Sequence, residues 1–223
     1  MGYDGRTVRN MHVPLFLALV LATSAGLPGE DDDAALARRL VERLEARQAA
    51  ASDVVARFVQ SYRSGMLGRE VVESGKLTIK RPGRMRWEYE EPEKKLFISD
   101  GRTFYFYVPE DRQVIIQEQD QERSLAGRLL SGVGGILDEF DAALDEPLED
   151  GVFRVRLVPR RPGAEIERAF VDVEPSGRLR GVLIEDVQGN RTRFRFEGMK
   201  ENTGAPDRLF RFEIPPGVEV IQG

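Results

Sequence analysis

The 223 residues contain no cysteine and a single histidine, His12, which precedes an apolar run near the N-terminus. A chain without thiols forms no disulfide and supplies neither a thiolate nucleophile nor a zinc-thiolate site. With the N-terminal segment removed, imidazole disappears too, and a Ser-His-Asp triad with it. Long apolar runs are scarce. Residues 13–22 (VPLFLALVLA) are broken by Pro14 and fall short of the about 20 residues that span a membrane as a helix. Nor is there an excess of positive charge. Lys and Arg number 33 against 38 Asp and Glu, a net charge of −5, which gives no bulk support to a nucleic-acid partner. Carboxylates, hydroxyls and amines remain, so catalysis is narrowed without being excluded.

What is present reads as a folded domain: 41% hydrophobic and 32% charged residues, in a chain long enough for one real core. Its first residues have the three parts of a secretory signal. Arg6 and Arg9 are the positive region, 13–22 the apolar one, and Thr23, Ser24 and Ala25 the small residues of a cleavage site. The expected division is a signal peptide over 1–25 and one domain over 26–223, exported to a periplasm; an uncleaved anchor is the competing reading. No cysteine follows the apolar run, so a lipid-anchored lipoprotein is not expected.

An acidic run at 30–33 (EDDD) precedes leucines at 36, 40 and 44. Acids at a helix start complement its dipole, and four-residue spacing makes one apolar stripe, so 34–51 is expected to be an amphipathic helix. From Val54 the texture changes to strands between turn signals. They are expected near 54–63, 69–80, 84–90, 95–99, 103–108, 112–118, 151–159, 165–174, 178–187, 190–199 and 208–214. Leu125, Leu129 and Leu130, then Ile136, Leu137 and Phe140, suggest two short helices around the glycine-rich joint 131–135. The fold class is therefore mainly β (α+β). One antiparallel sheet of about ten strands or more would curl or close, with an N-terminal helix and a helical insertion. Phe104 and Phe106 alternate with Tyr105 and Tyr107, and a strand apolar on both faces is covered on both sides.

The candidate constellations divide. The glycines of 127–135 match no nucleotide-binding fingerprint and read as a joint. The acids of 138–150 lack the alternation and fixed glycine of a calcium loop and read as a solvated loop. Arg191, Arg193 and Arg195 are either a stripe for an anionic partner or the wet face of a strand facing acidic neighbours, and the latter fits the acidic total better. No metal ligand set, cofactor site or activated nucleophile is evident. In the segment 80–92, KRPGRMRWEYEEP, Arg81 precedes a Pro-Gly turn, and Met85, Trp87 and Tyr89 then point one way from the next strand. That is a clasp at the mouth of an aromatic-lined sheet, or else a surface turn beside a core strand. Phe104 and Phe106 read equally as cavity or as plain core.

The chain resembles the periplasmic outer-membrane lipoprotein carrier family, LolA. The matching residues are Phe58-x-Gln60, Ser74-Gly75-x-Leu77, Lys80-Arg81-Pro82, Arg86-Trp87-Glu88-Tyr89-x-x-Pro92, Ser99-Asp100-Gly101, and Phe210-x-Phe212 with Pro216-Gly217-Val218. The resemblance implies an incomplete β-barrel with a helical lid over an apolar cavity that takes the acyl chains of lipoproteins. In that reading Arg81 clasps the lid, Met85, Trp87, Tyr89, Phe104 and Phe106 line the cavity, and Leu125, Leu129, Leu130, Ile136 and Leu137 belong to the lid. The implied protein is a monomeric carrier without cofactor or metal and not an enzyme. It ferries acylated lipoproteins from an inner-membrane lipoprotein-releasing ABC transporter to an outer-membrane receptor or to the outer membrane itself. Alternatives are a periplasmic lipid-binding sensor or regulatory module and a specialised glycolipid shuttle. An acyl-processing hydrolase is disfavoured by the missing histidine.

Overall fold

The computed structural model describes residues 30–118, 130, 134–146, 148–161 and 165–223. The expected signal peptide lies outside the described residues. Helix α1 (Glu30–Ala50) begins on the acidic run itself, which forms its first turn. Ala37, Leu40, Val41, Leu44 and Gln48 are buried; spacings of three and four put them on one face. Each such leucine or valine contributes about 1.5–3 kcal/mol by leaving water.

Among the described residues twelve strands follow: β1 (Asp53–Arg63), β2 (Glu70–Lys80), β3 (Arg84–Glu91), β4 (Lys95–Asp100), β5 (Thr103–Val108), β6 (Gln113–Glu118), β7 (Phe140–Leu144), β8 (Phe153–Pro159), β9 (Ile166–Val173), β10 (Leu179–Asp186), β11 (Arg191–Glu201) and β12 (Glu219–Gln222). A one-turn helix, α2 (Ile136–Glu139), leads into β7. The strands form one sheet in the order β12-β6-β5-β4-β3-β2-β1-β11-β10-β9-β8-β7, with β12 and β7 as its edges. The expected incomplete barrel is therefore what the chain forms. One pairing departs from the antiparallel expectation: β12 runs parallel to β6.

The sheet is sharply curled. Strands β3 and β11 are three intervals apart, roughly 14 Å in a flat sheet at about 4.8 Å per interval. Yet the Trp87 ring centroid on β3 lies 5.5 Å from that of Phe194 on β11. Gly75 permits part of this bend. A Cβ there would lie 1.9 Å from the Glu88 carbonyl oxygen, beside a register shift between β2 and β3. Helix α1 lies across the end where β1 begins and β11 finishes. Arg47 pairs with Glu201 at 2.6 Å, and Arg43 donates to the Pro175 carbonyl at 3.0 Å. Gly177 comes so close that a Cβ would sit 2.5 Å from the Arg43 carbonyl oxygen.

Two expectations fail in instructive ways. Phe140 starts strand β7 instead of closing a second helix, because its burial comes from pairing against β8 through Pro159. No strand forms over 208–214. Asp207–Phe210 is a short 3-10 turn, and the segment lies on the convex face of the sheet. There Phe210 is buried with Ile98 and Val114, and Phe212 packs on Tyr105 and Tyr107 at 5.3 and 5.4 Å. The outer cover of the doubly apolar strand is thus a 3-10 turn and the irregular chain that follows it, not an α-helix.

Candidate functional site

The register assigns each side chain to a face. Ala56, Leu77, Trp87, Phe97 and Phe106 stand side by side across β1 to β5, and Phe58, opposite Gly75, lies two residues along β1 on the same face. Phe58 touches both Trp87 and Tyr89 edge-on, at 4.9 and 4.8 Å. Tyr89 lies 5.4 Å from Phe97, which in turn stacks on Phe106 at 4.3 Å and lies 5.8 Å from Phe104. Phe194 and Phe196 of β11 continue the row beyond Trp87. The concave face therefore carries one connected aromatic surface from β11 to β5.

Its two halves differ in cover. Toward β7 to β11, Val155, Leu157, Ala169, Val171 and Val182 are fully buried with the helix residues in the core. Toward β3 to β5, Met85, Trp87, Tyr89, Phe97, Phe104 and Phe106 are all only half-buried. An apolar face left half-covered in that way presents a surface on which hydrocarbon is more stable than in water.

The predicted residues fall on this frame as follows. Met85, Trp87 and Tyr89 lie on the concave face, as do Phe104 and Phe106, while Tyr105 and Tyr107 point to the convex one. Leu130 and Ile136 are buried, and Leu137 packs against the core; Leu125 and Leu129 lie outside the described residues. The guanidinium of Arg81, in the β2–β3 turn, donates to the Ala51 carbonyl at 2.7 Å, Gln48 Oε1 at 2.8 Å and the Leu130 carbonyl at 3.2 Å. Burial lowers its pKa, with nearby Glu201 acting in the opposite direction. One side chain thus ties the sheet rim to the end of α1 and to the backbone at Leu130, and it satisfies the Ala51 carbonyl, which follows the last turn of α1.

Sequence reasoning passed over Phe58, Phe97, Phe194 and Phe196. The alternation of Val54, Ala56 and Phe58 was the available signal for the first. Phe194 and Phe196 were legible as the apolar side of the arginine-bearing strand. It also gave no role to two polar pairs on the concave face. The Tyr89 hydroxyl donates to Gln60 Oε1 at 2.5 Å, and burial, reinforced by the charge of Glu73, pushes its pKa up. Lys95 donates to Glu73 at 2.6 Å, a bond that raises the lysine pKa against the opposing effect of burial. On the convex side Lys80, Arg84 and Arg86 hold the C-terminal segment. Lys80 reaches the Ala205 carbonyl at 2.7 Å, Arg84 reaches Asp207 at 2.9 Å, and Arg86 reaches the Leu209 carbonyl at 3.1 Å. Among the described residues no group of acidic or histidine side chains is arranged to hold a metal ion.

Comparison with known proteins places this geometry. Residues 49–213 match the family described as Outer membrane lipoprotein carrier protein LolA. A relative from Pseudomonas aeruginosa, an outer-membrane lipoprotein carrier protein, is 32% identical over 210 residues, covering 93% of this chain and 97% of its own. One of the same description from Nitrosospira multiformis is 33% identical over 156 residues, 69% of this chain and 75% of its own. Among solved structures, an uncharacterized conserved protein from Thermus thermophilus superposes with a TM-score of 0.54 at 13% identity, covering 84% of this chain and 99% of its own. MucB superposes with a TM-score of 0.53 at 14% identity, over 80% of this chain and 63% of its own. These two likenesses concern the fold.

Proposed function

This chain belongs to the outer membrane lipoprotein carrier family, LolA, and from that premise we propose that it is a periplasmic carrier that shields the acyl chains of lipoproteins on its aromatic concave face. The observation that carries the reading is the connected row Phe58, Trp87, Tyr89, Phe97 and Phe106, left half-covered on an unclosed sheet. Each acyl methylene exposed to water costs about 0.8 kcal/mol, so transit needs an apolar surface of this kind. The carrier holds its cargo and does not transform it.

Release matters as much as binding. The contacts of Arg81 with Gln48, Ala51 and Leu130 favour the closed arrangement, and opening them for cargo lowers affinity by the free energy of opening. Arg81 is accordingly the clasp, and Met85, Trp87, Tyr89, Phe104 and Phe106 are the acyl-contacting residues. The leader over 1–25 delivers the domain over 26–223 to the periplasm. Cargo comes from a lipoprotein-releasing ABC transporter in the inner membrane and goes to the outer membrane or a receptor in it. The test is to purify the protein from the periplasm of its own cell and identify bound molecules by mass spectrometry. Triacylated lipoproteins are expected. Bound free glycolipid would replace this reading with a lipid shuttle, and protein empty at every growth stage would overturn it.

A further inference from the structure

The two ends of the sheet are unlike. At one end lie Arg81, the C-terminus of α1 and the β4–β5 turn. At the other lie the β1–β2 hairpin tip (64–69) and the β10–β11 tip (187–190), brought together by the register Arg63↔Arg191. They touch directly, since a Cβ on Gly65 would lie 2.6 Å from the backbone of Gly189.

Exposed apolar side chains concentrate at this second end. Met66 is 92% exposed and Leu67 69%, with Tyr62, Val71, Val72 and Val187 exposed around them. On the β1–β2 tip the exposed charges are Arg63, Arg69 and Glu70, so that tip is net positive although the chain as a whole is acidic. Arg63, Arg69 and Arg191 are all exposed. Arg63 and Arg191 stand directly opposite each other on paired strands, an arrangement of like charges that destabilises a sheet. They border a cleft of about 270 Å³ floored by Ser64, Gly65, Gly68 and Gly189. Acids are close as well: Glu70 is opposite Arg63 on β2, and buried Glu185 pairs with Arg191 Nε at 2.9 Å and also with Arg168. Half-buried Asp186 accepts from Gln188 and Asn190 within the β10–β11 tip, and the carbonyl of exposed Glu165 accepts from the Val187 N–H.

An apolar tip with three exposed arginines beside it has chemistry complementary to an anionic lipid bilayer, with hydrocarbon below and phosphate at the rim. We propose that the paired hairpin tips dock this protein on an anionic phospholipid surface, Met66 and Leu67 entering the acyl region while Arg63, Arg69 and Arg191 engage lipid phosphates. Tyr62 and Val71 pair across β1 and β2 on the face that leads through Gln60 to Phe58 and Tyr89. A docked carrier would thus set the start of its aromatic row against the membrane. The proposal rests on the carrier reading, yet docking by empty protein is measured separately from cargo.

Because the chain has no cysteine, Met66→Cys takes a single nitroxide label, and Arg102→Cys on the far β4–β5 turn serves as the control. With vesicles of one third phosphatidylglycerol in phosphatidylcholine, the label at 66 is expected to gain accessibility to oxygen and lose accessibility to a water-soluble relaxant. The label at 102 is expected to stay in water. Vesicle binding should fall at least tenfold for Arg63→Glu with Arg69→Glu, and for Met66→Ser with Leu67→Ser, and should weaken with salt. A label at 66 that remains in water on anionic vesicles overturns the proposal. So does binding unchanged in both double variants. Variants that lose cargo delivery while docking normally on lipid would mean that the tips meet a protein receptor, which also overturns it.

Discussion

Arg81 joins three parts of the chain that are distant in sequence, Gln48, Ala51 and Leu130, through one guanidinium. Leucine at that position keeps bulk but removes every donor. Arg81→Leu is expected to lengthen the retention of a triacylated lipoprotein about tenfold, corresponding to ~1.4 kcal/mol of lost closed-state stabilisation. Release to acceptor vesicles, timed for wild type and variant, measures this; equal retention removes the clasp role. Asp53 is a second residue with a readable consequence. Burial pushes its carboxyl pKa up, but hydrogen bonds from the Thr203 side chain and backbone, from Gly204 and from Ser52 outweigh that and leave it below the ordinary aspartate value. A depressed folded-state pKa stabilises the protein fully above the unfolded value and is lost as pH falls through the folded one. Asp53→Asn should therefore flatten the stability loss below about pH 4 while lowering stability at neutral pH. Urea unfolding at pH 3, 4 and 7 measures both.

At the scale of elements, the segment after β11 acts as a strap over the convex face. Phe210 is its buried anchor, and the guanidinium of Arg84 lies 5.8 Å from its ring centre. Phe210→Ala is expected to cost about 3–5 kcal/mol and to expose Ile98 and Val114, read out as a lower urea midpoint with increased binding of a hydrophobic dye. The strap also explains what was hidden in the sequence. Tyr105 and Tyr107 declared that the convex face had a cover, but nothing in local periodicity identifies which distant segment supplies it. Phe210-x-Phe212 has the alternation of a strand, and only docking on a formed sheet distinguishes a strap from a strand. Strand β7 was obscured likewise: with Phe140 at the end of a helical spacing, local pattern favoured helix while pairing with β8 decided otherwise. By contrast β1 to β6 were legible almost to the residue, because Pro-Gly, Pro92 and Asp-Gly turns punctuate them. Arg81 was legible as a rim residue, but its partner Gln48 was not, since a glutamine on an apolar helix face has no sequence signal of its own.

Taken as a whole, the molecule has helix α1's C-terminus and the Arg81 contacts at one end and its two most exposed apolar side chains, Met66 and Leu67, at the other. Trp87, the one tryptophan of the chain, lies in the middle of the aromatic row, within 5.5 Å of both Phe58 and Phe194. It is a built-in reporter. Titration with a diacylated lipopeptide is expected to shift its emission to shorter wavelength in a saturable manner, and Phe58→Ala should weaken that binding about tenfold or more. An emission unchanged at saturating lipopeptide would place the cargo elsewhere. That β7 and β12, the two ends of the sheet order, do not pair with each other has a mechanical consequence. A closed barrel has an integer number of strands and a fixed stagger, so its bore takes only certain sizes. A sheet whose two ends are not joined to each other behaves more like a leaf spring: its curvature varies continuously, and the spacing of its row of rings changes without any strand changing its register.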